Sequence, residues 1–155
     1  MKKLAEKTQQ TNKIVDALSH LLADTYILYV KTQNFHWNVT GPHFYAYHQL
    51  FEEQYKALVE AIDVIAERIR SLGAHAPASL AAFLKLTSLK ESDEKLNAQS
   101  MLQTLLNNHE SIANTISKLF DVIDECGDEV TLDLLVERKT EHDKFAWMLR
   151  SSLKE

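Results

Sequence analysis

The placement of glycine and proline is the feature that most constrains how this chain can fold. Its three glycines and two prolines fall at three places: Gly41–Pro42, Gly73–Pro77 and Gly127. Because both residue types interrupt regular helices, these breaks divide the chain into four long segments. Apolar residues recur within each segment at spacings of three and four, and no stretch alternates with a period of two. The sequence therefore predicts an all-α protein built from four long helices.

The connection between the second and third long helices is unusually long, at roughly twenty residues. It contains the apolar stretch Ser79–Leu86, which we expect to form a short extra helix. Helices joined by short hairpins would not need such a link, so we expect a crossover connection, as in ferritin-like four-helix bundles. Ser92, in the sequence ESDE, is expected to cap the third long helix, with the acidic residues favouring its N-terminus, and Gly127 to end it.

Length and composition limit the class of protein. The 155 residues are enough for one domain with its own core, so we expect a single domain over residues 1–155, with residues 1–10 as a short tail. The 17 basic and 22 acidic residues give a net charge of −5, which argues against a dedicated nucleic-acid binder. The single cysteine, Cys126, excludes an internal disulfide. No export signal or membrane-spanning stretch is visible, so we expect a cytoplasmic protein.

Residues 34–53, with the sequence NFHWNVTGPHFYAYHQLFEE, concentrate three histidines at the junction of the first two long helices. On a helical wheel of the second helix, His48 lies at the margin of the apolar face, and Glu52, Asp63 and Glu67 lie on the same flank. His48 and Glu52 are four residues apart, as are Asp63 and Glu67, so each pair can present two ligands to one metal. The two pairs are separated by about 22 Å along a helix, which is too far for one chain to close both around one ion.

A two-fold axis would bring the two pairs together. When two copies of one helix pack antiparallel, facing residues have numbers with a constant sum. That sum is 115 both for His48 with Glu67 and for Glu52 with Asp63, so one register aligns both. His36 can fold back to join His48. The predicted site takes His36, His48 and Glu52 from one subunit, and Asp63 and Glu67 from the other, which suits iron, manganese or zinc. Considered singly, such acids are usually solvated and such histidines are usually structural; the shared register favours the site.

The segment His36–Gly73 resembles the signature of the Dps proteins, small ferritin-like proteins of starved and oxidatively stressed bacteria. The matching features are His-Trp-Asn, Gly-x-x-Phe, a second histidine twelve residues after the first, and Asp-x-x-Ala-Glu-Arg at Asp63–Arg68. The four-helix layout, with GDEVTLDLL and DKFAWMLRS near the C-terminus, extends the resemblance over nearly the whole chain. Where many members carry aspartate this chain has Glu52, which keeps the charge.

The resemblance implies a ferroxidase that forms a hollow dodecamer, with a two-fold dimer interface through the second helix. It implies oxidation of iron(II), preferably by hydrogen peroxide, storage of the ferric product, and protection of the cell from peroxide and iron-driven radicals. Two iron ions would occupy each intersubunit site, with other divalent metals as alternatives. Matching the signature position by position gives the same ligands: His36, His48, Glu52, Asp63 and Glu67.

Several further residues could have a functional or a structural role. Trp37, beside the first ligand, is either a trap for an oxidising equivalent, as the family suggests, or a buried packing residue. Three acids near the third turn line a three-fold pore through which iron enters, by the resemblance: Asp124, Glu129 and Asp133. The alternative is N-terminal capping of the last helix by Asp128 and its neighbours. His109 and His142 lie on apolar faces, so we expect hydrogen-bonded core histidines. Tyr55 is expected to be a core or interface residue.

The main rival function is a nucleoid-associated protein that protects DNA by coating it. DNA-binding members of the family usually use a long lysine-rich tail, because neutralising phosphates requires several flexible cations. Here the tail offers only Lys2, Lys3 and Lys7, against Glu6. We therefore expect DNA binding to be weak or absent. A surface role in receptor binding leaves no trace in the sequence.

Overall fold

Helices account for nearly all of the regular structure in the computed structural model. It describes residues 2–92 and 95–154, with side chains described from Ala5 onward in these ranges. Five helices and no strand occur in the described ranges: α1 (Lys2–Asn38), α2 (Phe44–Ser71), α3 (Leu80–Leu86), α4 (Ala98–Glu125) and α5 (Glu129–Ser152). The predicted all-α fold, with four long helices and a short one in the link between the second and third, is confirmed. No helix among these residues is long and apolar enough to cross a membrane.

The four long helices pack as two hairpins, α1 against α2 and α4 against α5. Their apolar faces meet in one core, in which Phe35, Phe51, Leu102 and Leu149 are fully buried. Burying a side chain of this size stabilises the fold by about 1.5–3 kcal/mol, so the core provides most of the favourable free energy. The short helix α3 packs mainly on α1.

The long link between α2 and α4 is fixed to α1 by one buried carboxylate. Asp24, only 4% exposed, accepts hydrogen bonds from the Thr87 hydroxyl at 2.7 Å and from the Ser88 backbone N–H and hydroxyl at 2.6 and 2.8 Å. A buried charge is tolerated only where such donors replace water. Asp24 therefore holds the chain after α3 in place and sets the path of the crossover.

Two local predictions about the helix ends are wrong. The N-cap of α4 is Asn97, whose side chain accepts a hydrogen bond from the Ser100 backbone N–H at 2.8 Å, rather than Ser92. Asparagine caps as well as serine does, and Asn97 lies directly before the first helical residue. The acidic Asp93 and Glu94 of the ESDE sequence lie outside the described residues. The expected tail is also wrong, because α1 begins at Lys2.

A chain of polar side chains crosses the interior of the bundle between α2, α4 and α5. His109 and His142 are 0% and 3% exposed, and their Nδ1 atoms are 2.8 Å apart. The Nε2 atom of His109 lies 3.2 Å from the Gln54 side-chain oxygen. The prediction of hydrogen-bonded core histidines is confirmed. Burial lowers the pKa of both rings, to about 3 for His142, so both are neutral at physiological pH.

Candidate metal centre

Two histidines from neighbouring helices face each other at the α1–α2 junction. His36 belongs to the last turn of α1, and His48 lies in the second turn of α2. Gly41, with φ of 119°, lets the chain reverse between them, a conformation that residues with a side chain rarely adopt. The two imidazole rings stack with their centroids 3.8 Å apart and their planes inclined by 18°. The short turn thus brings together two candidate ligands that are twelve residues apart in the sequence.

The protonation of both rings is fixed by a reciprocal pair of hydrogen bonds. The Nδ1 atom of His36 lies 2.8 Å from the backbone oxygen of His48, and the Nδ1 atom of His48 lies 2.8 Å from the backbone oxygen of His36. Because a carbonyl oxygen can only accept, each Nδ1 must carry the proton. In the neutral rings both Nε2 atoms therefore keep a free lone pair, which is the form that binds a metal ion.

Glu52 adds a carboxylate one turn beyond His48. His36, His48 and Glu52 each offer one ligand atom within 4.8 Å of the others. His36 is buried, whereas the other two are partly exposed. The Lys56 ammonium donates a hydrogen bond to the Glu52 carboxylate, and this bond lowers the pKa of Glu52. The three side chains can hold a divalent metal, but three protein ligands leave further coordination positions open.

Asp63 and Glu67 lie on the same helix and do not reach this cluster. Both are exposed on α2, and the helix rise places this pair of acids about 22 Å along the helix from the pair His48 and Glu52. Exposed apolar side chains flank them on α2, including Val59 and Val64 at 45% and 49% exposure. These valines add apolar area to a helix face that the rest of the described chain leaves uncovered.

Comparison with known proteins identifies the family. Residues 15–155 match the ferritin-like domain family. The DNA protection during starvation protein of Brevibacillus brevis is 37% identical, over 95% of this chain and 99% of its own length. This chain belongs to the Dps family. A low temperature-induced protein of Nostoc is 43% identical, over 92% of this chain and 81% of its own.

Solved Dps structures share the fold over almost the whole chain. The crystal structure of the Dps protein from Bacillus brevis superposes with a TM-score of 0.91 at 36% identity, covering 94% of this chain and 98% of that one. The Dps structure from Vibrio cholerae, described as a member of a broad superfamily of ferritin-like diiron-carboxylate proteins, has the same TM-score at 34% identity, covering 95% and 92%. The predicted family and its ferritin-like bundle are therefore confirmed.

The acids predicted to line a pore lie around the α4–α5 turn of this Dps chain. All three are exposed: Asp124, Glu129 and Asp133. Asp128 caps the N-terminus of α5, as the alternative interpretation expected, because its carboxylate accepts a hydrogen bond from the Thr131 backbone N–H at 3.0 Å. The same carboxylate accepts two hydrogen bonds from Arg68 at 2.7 and 2.9 Å. Partial burial would raise the pKa of Asp128, but the bonds from Thr131 and Arg68 outweigh it and lower that pKa. Asp128 is therefore engaged in capping, and the three exposed acids remain available for the predicted pore.

Two aromatic residues, Trp37 and Tyr55, lie close to His36 in the sequence or in the fold. Trp37 is 67% exposed, so the interpretation of a buried packing residue is wrong for the single Dps chain. Tyr55 was expected to be a core or interface residue, and its half-buried ring meets the ring of His36 edge-on, with centroids 5.2 Å apart. Spacing gives only part of this contact: Tyr55 follows His48 by seven residues, two helical turns, so the two share one face of α2.

Proposed function

We propose that this Dps protein is a ferroxidase that oxidises iron(II) to iron(III) and stores the ferric product inside an oligomeric shell. The observation that carries the proposal is the reciprocal hydrogen bonding of His36 and His48. In the neutral rings it leaves both Nε2 lone pairs beside the Glu52 carboxylate, where they can bind a divalent cation.

The remaining ligands would come from a second subunit. An antiparallel α2 pair whose two-fold axis passes between Ala57 and Leu58 places Glu67 of the partner subunit opposite His48, and Asp63 of the partner subunit opposite Glu52. The exposed valines on this face favour such a contact. Two carboxylates from the partner would bring the total charge of the ligands to −3, which suits two ferrous ions better than the −1 of one chain.

The proposed oxidant is hydrogen peroxide. Two iron(II) ions, one peroxide and two protons give two iron(III) ions and two waters. When both electrons come from one site, no hydroxyl radical is released, and the cell is protected from peroxide and iron together. In this reaction the protein binds and positions iron, and Glu52 must exchange its bond to Lys56 for a bond to the metal. The three exposed acids of the α4–α5 turn are proposed to attract ferrous ions to a pore at a three-fold axis of a dodecamer.

The test is removal of the ligands that belong to the second half of the site. Asp63→Ala with Glu67→Ala should leave the helices intact, because both side chains are exposed. Rapid iron(II) oxidation by peroxide, followed by ferric absorbance under stopped flow, should be lost. The control is Asp16→Ala, which removes an exposed acid from α1. Unchanged oxidation rates in the double variant would overturn the ferroxidase proposal.

DNA protection, which the names of several relatives state for those proteins, is the second candidate. It would require cations free to follow the phosphates. The structure instead begins α1 at Lys2 and includes Lys7 in that helix. Few flexible cations and a net charge of −5 favour the iron reaction over coating of DNA.

A further inference from the structure

A polar cavity lies where the link after α3 crosses α1 and α4. Its volume is about 490 Å³, and side chains from all three segments line it. Lys31 comes from α1, Ser92 from the link, and Asn108 and Ser111 from α4. Ser111 is exposed, so the cavity can be reached from solvent. None of its lining residues belongs to the candidate metal centre, and the cavity therefore has a chemistry of its own.

Lys31 carries a buried positive charge at this cavity. The residue is only 4% exposed, and its ammonium donates a hydrogen bond to the Asn108 side-chain oxygen at 2.6 Å. Burial lowers the pKa of the Lys31 amine, and no carboxylate of the described residues acts against that shift. An ammonium has three N–H groups, and a buried charge is costly unless an opposite charge pairs with it. An anion in the cavity would supply that missing partner.

The other polar groups of the cavity are hydrogen-bond donors with free capacity. Because the Asn108 oxygen accepts from Lys31, the amide nitrogen of Asn108 is the atom that remains to donate to a further partner. The Ser92 and Ser111 hydroxyls line the cavity as well, and neither makes a hydrogen bond to a residue in the described ranges. Donors from α1, the link and α4 therefore surround the same space.

The charges of the lining favour an anion over a cation. Lys31 and Lys90 are positive and Glu91 is negative, which leaves one positive charge in excess. Lys90 and Glu91 are exposed, so water and salt screen their charges. The Lys31 charge lies in a less polar environment, where its attraction for a counter-charge is stronger. The buried ammonium thus decides which kind of ligand the cavity can accept.

We propose that this cavity binds a tetrahedral oxyanion, of which inorganic phosphate is the representative, between Lys31 and Asn108. The Lys31 ammonium neutralises part of its charge, and the Asn108 amide and the two serine hydroxyls donate hydrogen bonds to its remaining oxygens. Donors on three segments suit four oxygens that point in different directions better than the two oxygens of a planar carboxylate. The bound anion connects α1, the link and α4, and it does so whether or not the protein oxidises iron.

The experiment is a calorimetric titration of inorganic phosphate into the assembled protein after a chelator has removed iron. The wild type should show saturable binding of about one phosphate per chain. Lys31→Gln keeps an amide that can bond to Asn108 but removes the charge, so affinity should fall by about tenfold or more. Lys13→Gln is the matched control, because Lys13 is an exposed lysine on the same helix. The control should bind phosphate as the wild type does.

A second variant tests the same site without removing the lysine. Asn108→Asp keeps the size of the side chain and gives Lys31 a carboxylate partner, which takes the place of the anion and repels it. Phosphate binding should therefore be lost while Lys31 is still present. In thermal unfolding followed by circular dichroism, phosphate should raise the midpoint of the wild type and of Lys13→Gln, because a ligand stabilises the state that binds it. The midpoints of Lys31→Gln and Asn108→Asp should not respond.

The outcomes that would overturn the proposal are specific. One is the absence of saturable phosphate binding to the wild type, and another is equal affinity in the wild type, Lys31→Gln and Asn108→Asp. Sulfate should compete with phosphate and acetate should bind more weakly; acetate that binds as tightly as phosphate would contradict a tetrahedral site. Crystals soaked in selenate should give an anomalous signal between Lys31 and Asn108, and a signal only at other positions would refute the location.

Discussion

Replacing His142 should change how the stability of the fold depends on pH. Its ring is 3% exposed and bonded to His109, and burial with the nearby Arg138 charge lowers its pKa to about 3. An unfolded histidine titrates near 6.5. Between these two values the unfolded chain binds a proton that the folded chain does not, so stability rises with pH. The contribution of His142 is fully present above about pH 6.5 and is lost as the pH falls toward 3.

The size of the effect follows from the same two values. Each pH unit below the unfolded pKa costs about 1.4 kcal/mol per histidine, so lowering the pH from 8 to 5 should destabilise the fold by about 2 kcal/mol through His142. His109, whose pKa burial also lowers, acts in the same direction. His142→Gln keeps an amide that can bond to His109 but removes the titration of residue 142. The variant should therefore lose about 2 kcal/mol less than the wild type over this range.

The assay is unfolding in urea at a fixed protein concentration, followed by circular dichroism at pH 5, 6, 7 and 8. Carboxylates also titrate near the lower end, but they are the same in both proteins and cancel in the difference. His75→Gln is the matched control, because His75 is exposed in the link after α2. It should follow the wild type. A pH dependence in His142→Gln as steep as that of the wild type would refute the argument, as would an equal loss of dependence in the control.

Further predictions concern the site, the link and DNA. Mixed dimers of two variants test the shared site: one variant carries His36→Ala and His48→Ala, and the other carries Asp63→Ala and Glu67→Ala. Neither variant alone should oxidise iron, but a mixed dimer has one intact site and should recover about half of the activity. No recovery would indicate a site within one chain. The two metal sites of a dimer should lie about 20 to 25 Å apart, as anomalous scattering from bound metal can show. Asp24→Asn should lower the free energy of unfolding by about 2–3 kcal/mol in urea titrations, because it disturbs three buried hydrogen bonds. A gel-shift assay at about 150 mM salt should show no retardation of DNA, and a robust shift would favour the rival function.

The sequence predicted the elements that depend on local spacing. The breaks at the glycines and the apolar repeat gave the long helices, and the long link with its short helix indicated the crossover. The cap at Asn97 was missed because several residues before α4 can cap a helix, and local preference does not decide between them. The tail was missed because charged, polar residues are compatible both with a helix that extends into solvent and with an irregular segment.

The candidate site was predictable only in part. The spacing on α2 placed His48 and Glu52 on one flank, because helix geometry converts residue numbers into positions, whereas the inclusion of Asp63 and Glu67 stays a prediction. The tautomers of His36 and His48 could not be predicted, since they depend on two backbone carbonyls whose positions come from the fold of the turn. The contact between His36 and Tyr55 depends on how α1 packs on α2, which no spacing within one helix specifies.

The reciprocal bonds between His36 and His48 also have a consequence for the order of assembly. Each imidazole is oriented by the backbone of the other helix, so this half of the centre takes its shape as soon as the α1–α2 hairpin folds, before any second subunit arrives. Little side-chain freedom is then left to lose when iron binds, which favours rapid and tight capture. Under the proposed function, the shell would therefore be built empty and filled later. Neither the folding of this half of the centre nor the proposed assembly has to wait for iron.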